Sequence, residues 1–251
     1  MVLYEYPFNE CIRTMLRLEN LFDRLGQLIP RDAPIDHHFA LATIFEILDV
    51  SSRADLKTDV MKELERHKYQ LNAYRGNPAI SETVLDEVVN RIEQAFEGLN
   101  NLSGKAGHAL TANDWLMSIR SRISIPGGTC EFDLPSYYAW QQFPAERRRA
   151  DLLQWITTLE PLAEGLSVLL GLLRDSGVPH RVVAPSGHYQ QSLPQGRQYQ
   201  LLRVRVNPDD ELVPEISGHR LMVAIRFLRP DGDWRLKPVT DDCNFELCIC
   251  S

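Results

Sequence analysis

The sequence predicts an α+β protein: an all-helical domain over residues 1–177, followed by a small antiparallel β-sheet domain over residues 178–251. Three observations predict it. Through the first two thirds of the chain, apolar residues recur at the three- and four-residue spacing of helices packed on one face. After Gly177 the texture changes to short clustered or alternating runs, "HRVVAP", "QLLRVRV", "HRLMVAIRFL" and "NFELCIC". Between those runs lie "PSG", "LPQG", "NPDD" and "RPDGD", whose Pro, Gly, Asn and Asp residues favour turns. The two textures are segregated along the chain, not alternating, which is the pattern of an α+β fold.

The first helix is expected to be capped by Asn9 and to run through "ECIRTMLRLENLFDRLGQLI", with Ile12, Leu16, Phe22, Leu25 and Ile29 inward, until "RDAP" stops it. A second follows in "HHFALATIFEILDV", with Phe39, Ala42, Ile44, Phe45 and Leu48 as its apolar positions. A third is expected from a Ser52 cap to Gly76, with Leu56, Val60, Leu64, Leu71 and Tyr74 in one stripe. A fourth begins at Ser81 and buries Val84, Leu85, Val88, Val89, Ile92 and Phe96, after which "GLNNLSGKAG" reads as a loop. Weaker helical patterns occupy about 113–122, 135–142, 145–158 and 160–175. In the sheet region "LLRVRV" sets Arg203 and Arg205 on one face and Leu202, Val204 and Val206 on the other, while Arg226 shares a face with Ala224 and Leu228. "SGH" occurs twice, which is too little for a repeat.

With 251 residues, 44% hydrophobic and 24% charged, the chain can bury a sizeable core without disulfide or metal staples. The start "MVLYEYPFNE" lacks a cationic region followed by an apolar run, and no stretch approaches the roughly 20 apolar residues of a membrane span. A cytoplasmic protein is expected, with Cys11, Cys130, Cys243, Cys248 and Cys250 as free thiols in a reducing compartment. A net charge of −7 argues against a dedicated nucleic-acid binder.

Motifs of catalysis are poorly represented. "SGKAG" at 103–107 lacks the Gly at position 99 and the Ser or Thr after Lys105 that a phosphate-binding loop requires. Cys130 follows a Pro-Gly-Gly turn with no histidine close in sequence and no strained-elbow motif. Cys243, Cys248 and Cys250 lack the paired spacing of a structural zinc site, and the adjacent His37 and His38 would diverge on a helix. No catalytic residue, metal or cofactor is expected. The remaining signal is arginine: Arg13 and Arg17 one helical turn apart, Arg120 and Arg122 before the turn, the run Arg147–Arg149, and Arg203, Arg205, Arg220, Arg226 and Arg229 in the sheet region. Guanidinium groups suit bidentate recognition of carboxylates, so a basic surface for an acidic partner is expected on an otherwise acidic protein.

Several stretches resemble one family: "YEYPFNECIRTMLRLE" (4–19), "LDVSSRADLKTDVMKELERH" (48–67), "RSRISIPGGTCEFDLP" (120–135), "GHYQ" (187–190), "EISGHRLMVAIRFL" (215–228) and "FELCIC" (245–250). In this order, with "SIPGG" before "FDLP" and "ISGH" before "AIRF", they resemble the ZapD family of bacterial cell-division proteins. That resemblance implies a helical domain and a β-strand domain, a homodimer, and no enzymatic activity or cofactor. It implies binding to the C-terminal tail of the tubulin-like protein FtsZ and bundling of FtsZ filaments at the midcell division ring. The family's basic tail-binding surface maps onto Arg13, Arg17, Arg120, Arg122 and Arg226, with His219 and Arg220 as neighbours. Met222 is apolar where some relatives would carry a basic residue. Two rival readings are an enzyme using Cys130 or His219, and a nucleic-acid-binding module using the same arginines. "SIPGG" is read as a rigid structural turn that sets the direction of Arg120 and Arg122.

Overall fold

The computed structural model describes residues 1–52, 56–219 and 221–251. The elements run, in chain order, β1 (Val2–Pro7), α1 (Glu10–Leu28), α2 (Pro34–Ser52), α3 (Leu56–Asn72), α4 (Glu82–Asn101), α5 (His108–Thr111), α6 (Asp114–Ile123), α7 (Pro135–Gln141), α8 (Ala145–Thr157) and α9 (Glu160–Asp175). They continue β2 (His180–Ala184), β3 (His188–Ser192), β4 (Leu201–Val206), β5 (Val213–His219), β6 (Met222–Pro230), β7 (Leu236–Pro238) and β8 (Cys243–Cys250). Helices dominate the N-terminal part and antiparallel strands the C-terminal part, which is the predicted α+β class. Compactness divides the chain into two units: residues 16–169, and residues 1–15 together with 170–251.

In the helical unit, Ile44, Ile47, Leu64, Ile92, Leu99, Leu116, Ile119 and Tyr137 are buried almost completely. The helix α2 is enclosed on most of its circumference: His37, Ala40, Leu41, Thr43, Ile44, Phe45, Ile47, Leu48 and Ser51 are all buried. That explains why its sequence shows no clean stripe, and Phe39, expected inward, is instead 53% exposed. Asn9 caps α1 as expected, its side chain accepting the Ile12 N–H at 2.9 Å. The buried stripe of α1 is Ile12, Met15, Leu18, Leu21 and Leu25, so Leu16 and Phe22 sit at its edges, half-buried. Ser52 ends α2 and donates to the Asp49 carbonyl at 3.0 Å; the expected cap of α3 involves residues 53–55, which lie outside the described residues. Val84 and Tyr74 are exposed, and α4 extends to Asn101 into the stretch expected as a loop.

In the strand unit, two sheets enclose one core. The first has the order β1-β4-β8-β2 and the second β3-β6-β5, with β7 adding to β6. Alternation places Leu202, Val204 and Val206 of β4, Cys243, Phe245 and Leu247 of β8, and Val223, Ile225 and Phe227 of β6 in a shared buried cluster. A single small sheet was expected; the second sheet arises because β3 and β5 flank β6. The strand β1, unexpected at the N-terminus, pairs in register from Val2 with Val206 to Pro7 with Leu201. Strand alternation also sends Cys243 into the inter-sheet core while Cys248 and Cys250 lie on the other face of β8, their sulfurs 3.8 Å apart.

Candidate functional site

The arginines fall into two groups by burial and partner. Arg148 is buried and donates from Nε to His37 Nδ1 at 3.0 Å, from Nη1 to the carbonyls of Gln141 at 2.9 Å and of Phe143, and from Nη2 to the Asp32 carbonyl at 2.5 Å. Its neighbour Arg149 reaches the Asp32 carboxylate and the Ile29 and Pro30 carbonyls, and Arg147 lies 3.7 Å over the Phe143 ring. The basic run is therefore a tie between α8 and the loop after α1, not a solvated face. In the strand unit Glu5 lies between Arg174 and Arg203, accepting two bonds from Arg174 at 2.9 and 2.7 Å. Arg203 Nε is 3.0 Å from the same carboxylate but off its N–H axis, so it is buried without a hydrogen bond. Arg205 pairs with Glu246 across β4 and β8 at 2.7 Å. These side chains hold the fold.

The candidate set is paired with single surface carboxylates or, for Arg17, with none among the described residues. Arg13, in the first turn of α1, pairs with Glu10 at 3.0 Å; Arg17, one turn on, is exposed and makes no hydrogen bond or ion pair among the described residues. Arg120, near the end of α6, pairs with Asp49 of α2 and lies 3.8 Å from Met117 Sδ. Arg122 pairs loosely with Asp133 at 3.7 Å. Arg226, at the middle of β6, pairs with Glu215 of β5 at 2.6 Å. Surface pairs of this kind are worth about 0–1 kcal/mol each, so an incoming carboxylate displaces them at small cost.

The loop between α6 and α7 explains how Arg120 and Arg122 are aimed. Gly127 has φ +69°, a left-handed conformation that side chains resist. A Cβ on Gly128 would stand 2.6 Å from the Arg122 carbonyl and 2.8 Å from the Ile125 Cβ. Backbone bonds from Ile125 N–H to the Arg122 carbonyl and from Gly128 N–H to the Ile125 carbonyl, both 2.9 Å, close the turn directly onto the end of α6. The "SIPGG" segment is a helix stop with no room for a ligand against its second glycine.

The second sheet adds residues that the sequence did not single out. The register pairs Arg226 with His188 of β3 on one side and Glu215 of β5 on the other. By alternation Arg226, His188, Gln190, Ser192, Ser217 and His219 share one face of that sheet, and the first five of these partners and neighbours are polar and open to solvent on it. His219, exposed, thus lies on the same face as Arg226, four residue pairs along the ladder; its Nδ1 accepts the Leu221 N–H at 3.3 Å. Met222 stands opposite His219 and contacts Gln190 through its sulfur. The polar alternation of "HYQQS" was the signal for β3, weak because it has no apolar run. Arg220 lies outside the described residues.

Cys130 belongs to the helical unit and His219 to the strand unit. Among the described residues no three His, Cys, Asp or Glu side chains are grouped to hold a metal ion. No single described helix is long and apolar enough to cross a membrane.

Comparison with known proteins decides the family. The family profile for ZapD, described as a cell division protein, matches residues 16–226. The chain belongs to the ZapD family of cell-division proteins. It is 54% identical over 254 residues to the cell division protein ZapD of Cupriavidus pinatubonensis, with all of both chains covered. It is 51% identical over 252 residues to the cell division protein ZapD of Ralstonia pickettii, again with full coverage of both. Family membership explains why the resemblance extends across both units, and the names of these ZapD relatives denote a cell-division role and not an enzyme.

Proposed function

We propose that this chain binds the acidic C-terminal tail of FtsZ through Arg13, Arg17, Arg120, Arg122 and Arg226, with His219 and Arg220 as further candidates. It acts as a homodimer in the cytoplasm at the midcell ring, where two tail sites per dimer cross-link FtsZ filaments into bundles. The observation that carries this reading is the sorting of the arginines: Arg148, Arg149, Arg174 and Arg203 are tied to backbone carbonyls or to carboxylates within the fold, while Arg13, Arg120, Arg122 and Arg226 are held only by single surface carboxylates and Arg17 by none among the described residues; Arg205, paired with Glu246, is as exposed as Arg13. Those carboxylates fix the arginine rotamers and mimic the acidic groups that replace them. Each tail grip is weak alone, but linking two sites raises avidity by about 10²–10⁴. Screening over about 8 Å at physiological salt makes the binding salt-sensitive.

Pelleting with polymerised FtsZ tests it. Wild-type protein is expected to bundle filaments at low salt and progressively less as salt rises, and the pair of changes Arg17→Glu and Arg226→Glu is expected to abolish bundling without loss of folding. Undiminished bundling by that double variant refutes the assignment of the surface. A gel shift against duplex and single-stranded DNA is expected to show no binding at physiological salt.

A further inference from the structure

We propose that the strand unit carries a second docking site, distinct from the arginine surface: a groove beside β1 that takes an extended segment of another protein, apolar at alternate residues and bearing Lys or Arg between them. The groove holds about 540 Å³ and is lined by Val2, Tyr4, Val206, Leu212, Pro230 and Trp234 among others. Trp234 is 81% exposed, although burying an indole is among the largest apolar gains a surface can make.

Its display is built into the backbone. Between β6 and β7 the Asp231 carboxylate accepts the N–H groups of Asp233 and Arg235, both at 3.0 Å, and the Trp234 N–H donates to the Asp231 carbonyl at 2.9 Å. This closed tip leaves Trp234 at φ +60°, a conformation suited to Gly or Asn and costly for a bulky residue. A tryptophan is held at this strained position with its ring in solvent at the edge of an apolar groove, as an interface anchor is.

The strand β1 supplies the second half of the site. Among the described residues it pairs only with β4, which makes it an edge strand whose other backbone edge can take an added strand, and Val2, 38% exposed, and Tyr4 line the groove from one face of it. Charge selects the occupant. The charged side chains lining the groove are Glu211 and Asp231, both carboxylates, with Asp209 and Asp210 adjacent in the turn before β5 and Asp233 on the tip. Lys237 pairs with Asp231, Arg229 donates to the Asp210 carbonyl and Arg235 stands on the tip, but none of these cations lines the groove, and Glu211 makes no ion pair among the described residues. With Glu211 as the unpaired charge of the lining, a cationic strand is favoured here over an acidic one.

Fluorescence polarisation with the full chain tests this, using a labelled peptide of alternating Val and Lys, one of alternating Val and Glu, and one of alternating Gly and Lys. The Val-Lys peptide is expected to bind saturably and the other two at least about tenfold more weakly. Trp234→Gly removes the ring and relaxes the backbone, so it keeps the fold while weakening Val-Lys binding at least about tenfold. Glu211→Lys is expected to weaken it severalfold. FtsZ bundling is expected to be untouched by Trp234→Gly, and Val-Lys binding untouched by Arg17→Glu with Arg226→Glu, so the two sites fail separately. The proposal is overturned by no Val-Lys binding, by equal binding of the Gly-Lys or Val-Glu peptide, or by unchanged affinity in Trp234→Gly. It is also overturned by self-association in sedimentation that Trp234→Gly abolishes, which would make a second copy the occupant.

Discussion

Replacing Arg148 with Met is expected to cost this protein a large part of its stability. The guanidinium is 4% exposed and satisfies the carbonyls of Gln141, Phe143 and Asp32 and the Nδ1 of His37. None of those four groups is a carboxylate, so the charge is stabilised by dipoles alone. The arrangement also fixes the His37 tautomer: Nδ1 accepts from Arg148, leaving Nε2 to donate to the Ile29 carbonyl at 3.3 Å. Methionine fills the aliphatic volume but leaves the buried His37 Nδ1 and the part-buried carbonyls of Gln141, Phe143 and Asp32 without their donor. At about 1–3 kcal/mol for each group left unsatisfied, and with part of that recovered by water and rearrangement, the loss is about 4 kcal/mol. Against a typical total of about 5–15 kcal/mol, that is a diagnostic effect for one substitution. Lysine keeps the charge but offers a compact head that reaches fewer of the diverging acceptors, so it is expected to lose about half as much. Urea unfolding followed by far-ultraviolet circular dichroism measures both. Arg147→Ala, which removes only a cation lying over the Phe143 ring, serves as the control and is expected to cost about 1 kcal/mol or less. If Arg148→Met unfolds within about 1 kcal/mol of wild type, the bonds merely repay the cost of burying the guanidinium, and the reasoning fails.

Two other expectations follow from the same geometry. Gly128→Val drives a side chain to within 2.6 Å of the Arg122 carbonyl, so scanning fluorimetry is expected to show a melting point several degrees lower, whereas wild-type stability in that variant contradicts the structural reading of the turn. Burial lowers the pKa of His38, whose Nδ1 lies 2.8 Å from the Tyr137 hydroxyl, below its ordinary value of 6.5. The unfolded chain then takes up a proton before the folded one does, so this contribution to stability is intact above about pH 6.5 and is lost as the pH falls through the lowered value. Unfolding midpoints compared between about pH 7.5 and 5.5 are expected to fall less in His38→Gln than in wild type, and an equal fall in both discounts His38 as the source.

Much of the fold was legible because helical periodicity is local. The segments 113–122, 135–142, 145–158 and 160–175 predicted from spacing correspond to α6, α7, α8 and α9 with shifts of a residue or so. Misplaced positions have tertiary causes. Phe39 was expected inward because α2 is apolar all round, and only its packing partners decide which residue is left in solvent. The strand β1 was missed because "VLYEYP" is stabilised by pairing with β4 about two hundred residues away in the sequence, a contact that no window along the chain contains. The strand β3 was missed because it shows a polar face and little apolar signal.

By itself, the sequence determined the α+β class, the capped first helix, the glycine turn after α6, the alternation that turns Arg203 and Arg205 away from Leu202, Val204 and Val206, and the family to which the chain belongs. Each depends on neighbours within a few residues or on matched strings, so the order of amino acids is enough. Tertiary structure alone decided which arginines are free to meet a partner. Arg147, Arg148 and Arg149 are equivalent as a run, yet one lies over a ring, one is buried among carbonyls and one clamps a loop, while Arg17 stands in solvent. A guanidinium is the same donor everywhere; what it does depends on which acceptors the fold brings within 3 Å of it, and those come from residues far away along the chain.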